Sequence, residues 1–61
     1  MDEDIMKSIV VLLQNDNGDK DILIRILNDL KNGKNLFAPD KVYLETVIKK
    51  YFPEDLHLLS D

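Results

Sequence analysis

The stretch richest in oxygen donors is Asn15-Asp16-Asn17-Gly18-Asp19-Lys20-Asp21, and hard cations such as calcium seek carboxylate and amide oxygens clustered around a sharp glycine turn. The spacing does not serve them. With Gly18 at the glycine position of an EF-hand loop, Leu13 falls where the first carboxylate is needed and Ile24 where the bidentate glutamate is needed. The run is therefore expected to be a helix-capping turn, with no metal site.

Other chemistry fares no better. His57 is the single histidine, and the chain has no cysteine, so neither a zinc ligand set nor a triad can be assembled. It is expected at a surface or edge, with a pH-sensitive contact as the sharper reading. Gly18 and Gly33 are the only glycines, and each suits a helix end better than a phosphate loop. Twelve acids on so small a chain must include neighbours, but nothing implies a concave pocket to raise a carboxyl pKa. No catalytic residue, cofactor or small-molecule substrate is expected, and the chain reads as a non-enzyme.

The elements that would position any such group are helices. Ile5, Met6, Ile9, Val10, Leu12 and Leu13 recur at three-and-four spacing, predicting a helix over about 3–14 with Asp2 or Asp4 as its cap. Asn15-Asp16-Asn17-Gly18 stops it. Asp19 then caps a second helix, apolar along Ile22, Leu23, Ile26, Leu27 and Leu30, polar at Arg25, Asn28 and Asp29, and closed near Asn32 by a left-handed Gly33. Pro39 opens a third helix behind an Ala38 cap and runs it to about Phe52, with Tyr43, Leu44, Val47, Ile48 and Tyr51 inward and a Phe37–Val42 staple at its start. Pro53 ends it, leaving Glu54 to Leu59 for a turn or two that drops Leu56, Leu58 or Leu59 onto the core.

A chain of 61 residues forms a single domain, since only about 60% of its unfolded surface can be removed from water. With 44% hydrophobic and 33% charged residues it should fold, although no disulfide is available to supplement a small core. The longest uninterrupted apolar run, Ile9 to Leu13, is far short of a membrane span. An acidic Asp2-Glu3-Asp4 start is the reverse of a targeting segment, so the mature chain is expected to be the whole chain and its location cytoplasmic. Charge is lopsided. The net −4 combines −4 in residues 1–21, +3 in 31–52 and −3 in 53–61.

The stretch Ile26-Leu27-Asn28-Asp29-Leu30-Lys31-Asn32-Gly33-Lys34-Asn35-Leu36-Phe37-Ala38-Pro39-Asp40-Lys41-Val42-Tyr43-Leu44 resembles a helix–turn–helix hairpin of small archaeal proteins, and more distantly the short C-terminal helical modules of the SHOCT type. The resemblance spans about half the chain and implies a role in oligomerisation or in attachment to other domains. The chain departs from the SHOCT pattern in having a helix before the hairpin.

The expectation is an all-α, three-helix bundle-like domain with a short fourth C-terminal helix or turn, its core built from Ile5, Ile9, Leu13, Ile22, Ile26, Leu30, Tyr43, Val47, Ile48 and Tyr51. Val11 lies opposite the main arc of the first helix and Ile24 beyond the edge of the second, which suggests a further packing surface against a twin subunit or another protein. Val11, Ile24 and the lysines Lys41, Lys49 and Lys50 are the candidate partner-binding residues. The alternative is a small regulator that contacts nucleic acid through those lysines. Against it stand a connection longer than a helix-turn-helix allows, Glu45 interrupting the row, a single arginine, and acidic ends that repel phosphate.

Overall fold

In the computed structural model, which describes residues 2–59, three α-helices run in chain order: α1 over Asp2–Gln14, α2 over Lys20–Lys31 and α3 over Ala38–Tyr51. A 3₁₀ segment, Pro53–Leu59, follows, and no strand occurs among the described residues. The domain is all-α, measuring 25 × 24 × 20 Å. No helix is long and apolar enough to cross a membrane among the described residues.

The helix ends show why the elements start and stop where they do. α1 and α2 close with the same pair of backbone hydrogen bonds. Asn17 N–H donates to Leu12 C=O at 2.9 Å and Asp16 N–H to Leu13 C=O; Lys34 N–H donates to Asp29 C=O at 2.8 Å and Gly33 N–H to Leu30 C=O. This pairing satisfies carbonyls that a helix end otherwise leaves free, and it requires a left-handed residue just past the cap. After α2 that residue is Gly33, φ 68°, as expected. After α1 it is Asp16, φ 56°, while Gly18, φ 80°, turns the chain again before α2.

Asp19 caps α2 as expected, its Oδ1 accepting from Ile22 N–H at 3.1 Å. Two other starts differ from expectation. α1 begins at Asp2, so Asp4 lies within the helix and not at its cap, and the side chain of Asp2 is outside the described residues. α3 begins one residue early, with Phe37 as a cap that makes no side-chain hydrogen bond. The staple does not bury its members, since Phe37 remains 68% and Val42 62% exposed.

The core consists of Ile5, Ile9 and Leu12 from α1, Leu23 and Ile26 from α2, and Leu44, Val47 and Ile48 from α3. Leu13, Ile22, Leu30, Tyr43 and Tyr51, expected at the centre, sit half-buried around it. Adjacent apolar pairs such as Leu12-Leu13 and Ile22-Leu23 differ by about 100° in direction, and which one faces inward depends on where the neighbouring helices press. Leu56 and Leu59 of the 3₁₀ segment close the core from below, as expected; the side chain of Leu58 is outside the described residues. Cutting a fully buried residue such as Ile9 to Ala costs about 2–5 kcal/mol, a large share of what a domain this small possesses.

Candidate interaction surface

Three polar contacts set which helix flanks are covered and which face water. In α2 the run Ile22-Leu23-Ile24-Arg25-Ile26 places Ile24 and Arg25 on either side of the outward direction once Leu23 and Ile26 point inward. Arg25 reaches across to α3, with Nη2 at 2.6 Å from Asp40 Oδ1 and Nε at 3.0 Å from Oδ2, a two-pronged grip on one carboxylate. Asp40 is only 3% exposed, and it stands in the first turn of α3, where the helix dipole favours negative charge. The hydrogen bonds from Arg25 hold the Asp40 carboxyl below the usual carboxylate range against the opposing effect of burial, and the guanidinium is raised in turn. This pair ties α3 to the Arg25 flank of α2.

The second contact ties the C-terminal segment to α1. The Ser8 hydroxyl, buried, lies 3.0 Å from Asp55 Oδ2 and 3.2 Å from the Asp4 carbonyl oxygen. Its one proton can serve either acceptor. The third contact joins α3 to the first turn, where Asp19 N–H donates to Tyr43 Oη. The Tyr43 hydroxyl sits so close over Gly18 that a Cβ there would approach it to 3.0 Å.

With those flanks taken, the remaining apolar side chains can be placed. Val11 is 38% exposed and shares the side of α1 that carries Ser8, toward the 3₁₀ segment. Ile24, 39% exposed, points away from Arg25 and so away from α3. The two residues singled out from sequence are both exposed and face different ways. Val10, placed inside by its spacing, is instead 39% exposed, about 130° from the inward direction of Ile5, Ile9 and Leu12, and it tilts toward Met6 and Leu13.

Lys41, Lys49 and Lys50 are exposed along α3, but 100° per residue sets Lys41 about 180° from Lys50. Lys50 lies over the ring of Tyr51, 5.3 Å from its centroid. His57 is exposed, its Nδ1 at 2.8 Å from the Glu54 carbonyl, which the Nδ1–H tautomer satisfies. Among the described residues no group of three or more His, Cys, Asp or Glu side chains could hold a metal ion.

Comparison with protein-family models, with curated proteins and with solved structures yields no match for this chain. Sequence reasoning passed over two residues of this surface. Asp40 is given no contact by its spacing, although Pro39-Asp40 at a helix start was a visible cue; its partner Arg25, fifteen residues away, was not. Val10 gave no cue at all, because its period matches the buried arc.

Proposed function

We propose that the chain is a non-enzymatic protein–protein interaction or oligomerisation module, working through apolar side chains that its packing leaves in water. The observation that carries this reading is the set Val10, Val11, Ile24, Phe37 and Val42, all large, apolar and more than a third exposed on a domain with a small core. Such side chains gain about 25 cal/mol for each Å² of apolar surface covered, which a partner can supply and this fold does not. Val11, Ile24 and the exposed Lys41, Lys49 and Lys50 are the residues assigned to contact, the lysines steering an acidic partner from the rim. The spread of the lysines around α3 favours this over a nucleic-acid contact, which needs basic groups along one track. A chain without cysteine suits a reducing, cytoplasmic setting.

Circular dichroism of Val11→Asp and Ile24→Asp tests the premise. Both variants are expected to keep native helix content, since a partly exposed position accepts a carboxylate. Collapse of the helix signal in either one sinks the reading, because it marks that side chain as core.

A further inference from the structure

From the position of its exposed apolar residues we infer that the outer face of the α1–α2 hairpin is the seat of a second copy of this chain, the two related by a two-fold axis parallel to the hairpin. The inference rests on the interaction-module reading above and names its partner and its surface. Arg25–Asp40 places α3 on one flank of α2, and Ser8–Asp55 places the 3₁₀ segment on the far flank of α1. The opposite flanks, which carry Ile24 and Val10, are therefore turned to the same uncovered side. Half-buried Met6, Leu13 and Leu27 lie in the seam between them. Val10 and Ile24 form its two ridges.

Register argues for self-pairing. Val10 stands four residues before the end of α1 at Gln14, and Ile24 four residues after the start of α2 at Lys20, so both lie about 6 Å of helix from the turn. Glu3 and Lys31, both exposed, each lie eleven residues out, at about 16 Å. A two-fold axis along the hairpin lays α1 of one copy over α2 of the other. Val10 then meets the partner's Ile24, and Glu3 meets the partner's Lys31, each contact made twice by symmetry. The result is a four-helix layer with apolar ridges at its middle and opposite charges at its far end. A face of a molecule 25 × 24 Å across offers on the order of 600 Å² per protomer, toward the low end of stable interfaces.

Sedimentation equilibrium of the full chain from about 1 µM to 1 mM tests this, with circular dichroism on every variant. The wild-type chain is expected to dimerise, and Val10→Asp to weaken the dimer more than tenfold with helix content unchanged. Glu3→Lys and Lys31→Glu each place like charges together twice and should weaken it several-fold. Mixing those two variants restores both opposite-charge contacts and should recover wild-type affinity, which no effect on the monomer alone can produce. A chain monomeric at 1 mM overturns the inference, as does a dimer that survives Val10→Asp or a mixture that fails to recover. None of these results touches the broader reading, which stands or falls on whether the Val11 and Ile24 variants fold.

Discussion

The two joints between helices reach similar backbone solutions by different means. Both helices that lead into a joint end with the same pair of backbone hydrogen bonds around a left-handed residue, Asp16 after α1 and Gly33 after α2. At the first joint the turn itself is gripped from outside, by Tyr43 over Gly18 and by the bond from Asp19 N–H to the Tyr43 hydroxyl. At the second the loop is left open, with nothing within 4 Å of where a Gly33 Cβ would stand, and the grip has moved into the flanking helices as Arg25–Asp40. A short joint fused to the core is intolerant of added atoms. A looser joint bridged by an ion pair tolerates atoms and answers to acid.

The largest expected contrast comes from matched substitutions at the two glycines. Gly33→Ala meets only the left-handed penalty, about 1 kcal/mol, whereas Gly18→Ala meets that penalty and the Tyr43 hydroxyl, for about 2–3 kcal/mol together. For a domain of this size the difference appears as roughly 4–15 °C in Tm. Equal melting points for the two variants would dissolve the distinction between the joints.

Next comes acid. Asp40 has a folded-state pKa below its unfolded value of about 3.9, so the stability it contributes is complete above that value and is lost as pH falls through the folded pKa. Asp40→Asn should melt below wild type at pH 7, and the gap between the two should close as the solution is taken below about pH 4. Urea titrations at a series of pH values measure it; a gap that stays constant to pH 2 removes the ion pair from the account. Tyr43→Phe, at the first joint, deletes the hydroxyl that receives Asp19 N–H and should cost about 1 kcal/mol in the same urea titrations. Smallest is a gain. Asp16→Gly relieves a left-handed residue that carries a Cβ and should stabilise by about 0.5–1 kcal/mol, seen as a small rise in the urea midpoint without a change in slope.

Local rules carried most of the fold. The Asp19 cap, the left-handed Gly33 and the stop at Pro53 each depend on a few neighbouring residues and are found where their spacing puts them, and Pro39 falls one position further into its helix than expected. Rotation of the helices was less visible. Leu12, Leu23 and Leu44 took the centre from Leu13, Ile22 and Tyr43, because a broad apolar arc offers two adjacent candidates and the choice belongs to the other helices. On the candidate surface, Ile24 emerged from sequence because it stands clear of its helix's arc, while Val10 was hidden because it shares one.

Residue types and spacing by themselves determined that this chain is helical and where its helices begin and end to within a residue or two. Those properties follow from bonds and periodicities that close within one or two turns. Which flank of each helix is covered was decided only by the assembled structure. Contacts between residues 15, 24 and 47 positions apart, Arg25 with Asp40, Asp19 with Tyr43 and Ser8 with Asp55, choose among helix rotations that local rules leave nearly equal.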